Sequence, residues 1–154
     1  MRIRPATHDD LPAILPLFQD LDAKHRRSSK DIRDEIKPER YELLFNSTFK
    51  ENSDLILSVV EKEQEVIGFA LAKITQVQKN FILKDSLIGE VLYVAVSERY
   101  KRGGIGRELM KDMEQRLIEK GVEKFQLRVF SFNDETFPEK ADYRPKYTVY
   151  EKYV

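Results

Sequence analysis

The chain has 154 residues, about one domain by the loose prior of roughly 150 residues each. With 41% hydrophobic and 10% aromatic residues it can bury a core of its own. Twenty-seven Lys and Arg balance 27 Asp and Glu, and this zero net charge argues against a general nucleic-acid binder, which needs excess cations to displace counterions from phosphates. Cysteine is absent, which excludes disulfides, thiolate metal sites and a cysteine nucleophile together. With only His8 and His25, a zinc site would need carboxylates for most of its ligands, so no metal is expected. No G-x-S-x-G elbow exposes a serine. The opening MRIRPATHDD has no apolar leader core and no window reaches the apolar length of a membrane span, so the expectation is a cytoplasmic protein without membrane contact.

Ile3 to Ala6 reads as a short first strand, with Thr7 or Asp9 placed to cap a following helix. Leu11, Ile14, Leu15, Phe18 and Leu21 recur at helical spacing, and Pro16 predicts a kink. From Lys24 to Arg40 the chain is polar without a sustained period and reads as a loop with room for a helical turn. A second helix carries Tyr41, Leu44, Phe45 and Phe49 and ends at Glu51-Asn52-Ser53. Leu55–Val60 and Val66–Ile74 are β-rich about the polar link Glu63-Gln64-Glu65, predicting a hairpin. Gly68 within the second strand predicts a close backbone approach or a bulge.

Thr75 to Ser86, with apolar Phe81, Ile82 and Leu83, reads as a linker that either continues or leaves the strand. Glu90-Val91-Leu92-Tyr93-Val94-Ala95-Val96 follows, apolar on both faces after its glutamate, and so belongs in the middle of a sheet. Ile105 to Lys120 repeats Leu109, Met110, Met113, Leu117 and Ile118 on one helical face, and Gly121 stands where a left-handed C-cap is expected. Phe125 to Phe132 alternates as a strand, Asn133 to Ala141 is a turn or short helix broken by Pro138, and Tyr143 to Val154 reads as one or two closing strands. The order is α/β throughout, a single domain over residues 1–154.

The chemistry concentrates in SERYKRGGIGREL, Ser97 to Leu109. A buried strand stops, a basic loop turns, and three glycines lead into a helix. Glycine lets backbone approach a ligand without a Cβ in the way, and the free N–H groups and dipole of a helix start favour an anion. Lys101, Arg102 and Arg107 add full positive charges. The plain alternative is a tight strand-to-helix turn with surface cations. A dinucleotide fingerprint fails because Leu109 stands where the third glycine belongs. A P-loop fails because Gly106 is followed by Arg107 and Glu108.

The run Lys101-Arg102-Gly103-Gly104-Ile105-Gly106 resembles the R/Q-x-x-G-x-G/A signature of the GCN5-related N-acetyltransferases (GNAT), with lysine in place of the first Arg or Gln. The element order resembles the family nearly end to end. The resemblance implies a mixed, mostly antiparallel central sheet flanked by helices, with a splayed strand pair at the coenzyme A site. It implies acetyl-CoA as co-substrate and a small-molecule or peptide amine as acceptor, with direct attack by the amine.

It also implies roles by position. The loop from Arg102 to Arg107, through Gly103, Gly104, Ile105 and Gly106, would cradle the diphosphate with Lys101 beside it. Val94 and Val96 would offer backbone hydrogen bonds to pantetheine, although core packing explains them as well. Asn133 matches an asparagine that contacts coenzyme A, or else caps a turn or helix. The strand from Glu90 resembles the E-I-V-F-C-A-V segment of the histone-acetyltransferase branch, whose glutamate is a general base. Glu90 takes that role here, against the alternative of a solvated residue at a strand start.

The family's Y-E-K-x-G-F segment, whose tyrosine protonates the leaving thiolate, has Pro138 at the tyrosine's place, with Glu139 and Lys140 matching. Tyr143 and Tyr147 are nearby substitutes without support from spacing. That break keeps open a non-catalytic acyl-CoA-binding or sensing module. Asp31, Asp34 and Glu35 could attract a cationic amine or form a solvated loop, and His25 reads as a surface histidine. An exposed closing strand would allow a homodimer.

Overall fold

A computed structural model of the chain describes residues 1–33, 37–79, 81–82, 84–129, 136–150 and 152, with 136 and 137 as backbone only. Five strands form one sheet in the order β1-β2-β3-β4-β5: β1 is Arg2–Pro5, β2 Leu55–Lys62, β3 Glu65–Val77, β4 Ser86–Val96 and β5 Lys124–Leu127. All neighbours run antiparallel except β4 and β5, which are parallel. The helices are α1 (Leu11–Ser28), α2 (Glu39–Thr48), α3 (Ile105–Glu119) and the short α4 (Thr136–Lys140).

The sheet separates two apolar cores. On one face Ile105, Leu109, Met110, Met113 and Leu117 of α3 pack against Val60, Ile67, Ala70, Ala72 and Val91. This is the 3.6-residue stripe anticipated for that helix, except that Ile118, expected on the same face, is 53% exposed. On the other face Ile14 and Phe18 of α1 and Tyr41 and Phe45 of α2 meet Leu57, Val59, Phe69 and Leu71. Phe18 lies at its centre, edge-on to Tyr41, Phe45, Phe69 and Tyr93 at centroid distances of 4.7–5.7 Å.

The hairpin between β2 and β3 turns on Glu63 and Gln64 alone, at φ 52° and 67°, the left-handed pair that a two-residue hairpin needs. Glu65 already belongs to β3. At Gly68 both expected features occur. The register shifts between Val60 and Glu61, and a Cβ on Gly68 would lie 2.7 Å from the Ala95 carbonyl oxygen.

Four boundaries differ from the sequence reading. Helix α1 does not stop near Leu21 but continues through Pro16 to Ser28, so Lys24–Ser28 is helix and not loop. Ala23 and Lys24 are strong helix formers, and His25, Arg26 and Arg27 complement the negative end of the dipole, without any apolar repeat to announce them. Strand β4 begins at Ser86, four residues before its apolar run. Strand β5 ends at Leu127, not Phe132; Arg128 and Val129 are not strand, and 130–132 lie outside the described residues. No closing strand forms among the described residues from 143 to 150, and the sheet edge expected for a homodimer is absent there. Pro145 lacks the N–H that a ladder requires.

Candidate functional site

Strand β4 changes character halfway along. Leu71 pairs with Tyr93 but Ala72 pairs with Val91, so Leu92 is an extra residue, a β-bulge. The bulge resets the alternation of side chains. Leu92 and Tyr93 both pack on the α1–α2 side, while Val91, Val94 and Val96 pack on the α3 side.

Pairing with β5 stops at the same place. The parallel ladder runs from Ile88 and Lys124 to Val91 and Leu127, after which β4 continues alone to Val96. The Ser97 N–H donates to the Ile67 carbonyl at 2.8 Å, so alternate residues Ala95 and Tyr93 also turn their main-chain groups toward β3. Val94 and Val96 therefore turn theirs the other way, to an edge with no strand partner among the described residues. The described residues show this free edge of β4; β5 itself ends at Leu127, so they show no second strand diverging from it as the resemblance implied.

The loop after β4 makes a turn of 3₁₀ helix at Glu98–Tyr100, places Arg102 at φ 64° and Gly104 at φ 79°, and enters α3 at Ile105. Ile105 is buried and anchors the start of the helix in the core. Among the described residues, the backbone N–H groups from Arg102 to Gly106 donate to no backbone carbonyl; the helix ladder begins with Arg107 N–H to the Gly104 carbonyl at 3.0 Å. Gly103 and Gly104 are exposed, and nothing lies within 4 Å of where a Cβ on Gly104 would be. Five consecutive free amides at a helix start, with exposed Arg102 and Arg107 beside them, make a surface suited to an anion. Lys101 is engaged differently: its Nζ pairs with Glu98 and holds that carboxyl below its usual range.

The free β4 edge and this loop open into one cleft of about 2170 Å³, whose far wall comes from α1 and the start of α2. Glu90 is on the wall at the bulge end. Its side chain is 18% exposed, and its Oε1 lies 2.7 Å from Arg128 Nε. The carboxylate is thus ion-paired and not bounded by apolar walls alone. Asn133 lies outside the described residues, as do Asp34 and Glu35; Asp31 is exposed. His25 is not a surface histidine but a half-buried lining residue of the cleft, and burial lowers its pKa.

Tyr143 does not line the cleft. Its hydroxyl donates to Glu114 Oε1 on α3 at 2.7 Å, and burial followed by that carboxylate raises its pKa above the usual 10. Tyr147 is 69% exposed. Among the described residues no group of three His, Asp or Glu is placed to hold a metal, and no helix is long and apolar enough to cross a membrane.

One constellation was missed in the sequence. Asp22, buried on α1, pairs with Nη1 of Arg40 at the start of α2, while Nη2 of Arg40 donates to the Tyr93 hydroxyl oxygen at 3.2 Å. Arg40 and Tyr93 line the cleft. The available signal was spacing: Asp22 continues the stripe Ile14-Phe18 by four residues, an acid on a buried face.

The sequence model of the acetyltransferase (GNAT) family matches residues 17–137, and the chain belongs to that family. No curated protein shows a significant match. Among solved structures, a single-residue mutant of the BH1408 protein from Bacillus halodurans is similar with a TM-score of 0.87 at 19% identity, covering 100% of this chain and 99% of that one. Glucosamine-6-phosphate N-acetyltransferase from Arabidopsis thaliana is similar at TM-score 0.73 and 18% identity, covering 99% of this chain and 97% of that one. The structure of AAC(6')-Iy in complex with a bisubstrate analogue, CoA-S-monomethyl-acetylneamine, is similar at TM-score 0.77 and 14% identity, covering 99% and 98%. These likenesses establish the mixed α/β acetyltransferase fold.

Proposed function

We propose that residues 1–154 act as one acetyl-CoA-dependent N-acetyltransferase domain, acetylating a primary amine of a small molecule or peptide by direct attack. The observation that carries this reading is the unpaired β4 edge running into the free amides at the head of α3. A strand edge offers what an extended chain of amides needs, and the helix start offers what a diphosphate needs. The residues therefore fit the co-substrate.

In this reading Val94 and Val96 offer main-chain N–H and C=O groups to the pantetheine arm. The amides of Arg102, Gly103, Gly104, Ile105 and Gly106 surround the diphosphate, with Arg107 and Lys101 adding charge. Asn133 keeps its assignment on the resemblance alone. Glu90 accepts the proton of the ammonium, directly or through a water, because only a neutral amine has a lone pair to attack. The new bond joins the amine nitrogen to the acetyl carbon, the carbon–sulfur bond breaks with its electron pair going to sulfur, and the proton that the nitrogen sheds on becoming an amide ends on the departing thiolate, giving free coenzyme A. A free N–H of the β4 edge stabilises the negative charge that grows on the carbonyl oxygen.

A second reading, a non-catalytic acyl-CoA-binding module, is favoured by Tyr143: its hydroxyl is committed to Glu114, and Pro138 stands where the family tyrosine is expected. One experiment separates the two. Acetyl-CoA is expected to raise the melting temperature, and an amine panel is expected to release free coenzyme A thiol. A melting shift with no release from any amine selects the binding module; no melting shift overturns both.

A further inference from the structure

The cleft wall built by α1 and α2 carries charge that the reading above leaves unused. Among the described residues ten lysines and arginines line the cleft against four acids. Three of those acids are already paired: Asp22 with Arg40, Glu90 with Arg128 and Glu98 with Lys101. Asp20 alone remains, facing cations that have no ion-pair partner among the described residues. Arg102 and Arg107 belong to the loop at the head of α3. Lys24 and Arg27 come from the end of α1, and Lys37 from just before α2, on the opposite wall. The chain as a whole is neutral, so the excess among the described lining residues is local to this cleft.

Arg40 differs from these exposed cations in being fixed. Asp22 holds Nη1, the Tyr93 hydroxyl accepts from Nη2, and the guanidinium lies 5.0 Å from the Phe18 ring centroid and 5.6 Å from that of Tyr41. Its side chain is nevertheless 37% exposed. A guanidinium has five N–H donors, and these two contacts leave others for the cleft. A planar fork held rigid at a wet wall matches a carboxylate or phosphate, and its ordering cost is met within the folded protein.

We infer that the acceptor amine carries an oxyanion, a carboxylate or a phosphate, which Arg40 engages directly and Lys24, Arg27 and Lys37 draw in. This rests on the acetyltransferase reading and names the substrate class for the same site.

The test uses matched acceptors: glycine, β-alanine and an alanyl dipeptide, each against its amide, and phosphoethanolamine against ethanolamine. The acid of at least one pair is expected to exceed its neutral partner in kcat/KM by about tenfold, with the margin shrinking as salt is added. The carboxylate and phosphate arms tell which oxyanion is bound. Equal or better use of every neutral partner overturns the inference and leaves acetyl transfer intact.

A readout free of turnover is calorimetry of the N-acetylated acids and amides with the CoA-saturated protein, where the same preference is expected. Binding of no acid in any pair overturns the inference whatever becomes of catalysis. The double variant Arg27→Gln, Lys37→Gln changes exposed residues only and is expected to reduce the acid preference. A loss of coenzyme A affinity with the preference intact would assign those cations to the co-substrate and overturn their role. Arg40→Lys keeps the charge beside Asp22 but removes the fork, and is expected to lower the preference. A lower melting temperature with undiminished preference would make Arg40 merely a clamp between α1, α2 and β4.

Discussion

Arg128 Nε lies 2.7 Å from Glu90 Oε1, just past the point where the ladder between β4 and β5 ends. Glu90 pairs in register with Gln126, and Arg128 follows Gln126 by two residues, one beyond the end of β5. The arginine side chain is 80% exposed and the glutamate 18%. The carboxylate proposed above to accept a proton thus has a partner that is itself largely in solvent. Glu90→Gln is expected to lower kcat by about 10²–10⁴-fold, measured as thiol release, while the melting shift with acetyl-CoA is retained. An unchanged rate removes Glu90 from the chemistry and leaves the fold untouched.

Two adjacent glycines are expected to behave differently. Gly104 stands at φ 79°, so Gly104→Ala costs about 1–2 kcal/mol of stability although its Cβ would meet nothing within 4 Å. At Gly103 a Cβ would lie 3.5 Å from the Tyr100 carbonyl oxygen, ordinary contact, and Gly103→Ala is expected to stay within about 0.5 kcal/mol. Denaturant melts of the two variants check this. Gly104→Glu would set a carboxylate at the positive end of α3, and undiminished acetyl-CoA affinity in that variant sinks the diphosphate assignment.

Stability in acid is expected to depend on Asp10. Arg4 donates to both its oxygens, at 2.7 and 2.8 Å, and the Thr7 N–H adds a third bond at 2.7 Å. The arginine first, and then Thr7, hold the carboxyl down from 3.8 to about 2 against the opposing effect of burial. Because the folded value is the lower one, the stabilisation is complete above about pH 4 and disappears as pH falls toward 2. The difference between the protein and Asp10→Asn, about 2 kcal/mol at neutral pH, should shrink across that window in urea melts. A difference that is flat with pH contradicts the ion pair.

Tyr143→Phe removes a half-buried hydroxyl and leaves Glu114 without its donor. Stability is expected to fall by about 1 kcal/mol, with the alkaline limb of the kcat profile unmoved. Movement of that limb would place Tyr143 in proton transfer after all.

The elements legible in the sequence were those with a local cause. The stripe Leu109-Met113-Leu117 announced α3, the polar link at Glu63-Gln64 announced the hairpin, and the glycines after Val96 announced the loop. What stayed hidden depends on contacts distant in sequence, or on patterns that cancel. The bulge at Leu92 leaves no trace because both faces of that run are apolar, so a shift of period changes no residue type. The last turns of α1 form through propensity and dipole without apolar spacing. Arg40 reads as one charge in a polar stretch until Asp22, 18 residues earlier, and Tyr93, 53 residues later, are folded onto it. The stretch from Tyr143 onward read as one or two closing strands, but a strand needs a neighbour, and none is present among the described residues.

Because β5 ends at Leu127, opposite Val91, the second half of β4 keeps main-chain donors and acceptors without a strand partner among the described residues. Any guest that occupies that gap is linked to folding by mass action, adding RT ln(1 + [L]/Kd) to the unfolding free energy. With acetyl-CoA as that guest, as proposed above, the lifetime of this chain against heat or proteases should follow the supply of the thioester, rising when the metabolite is plentiful and falling when it is scarce.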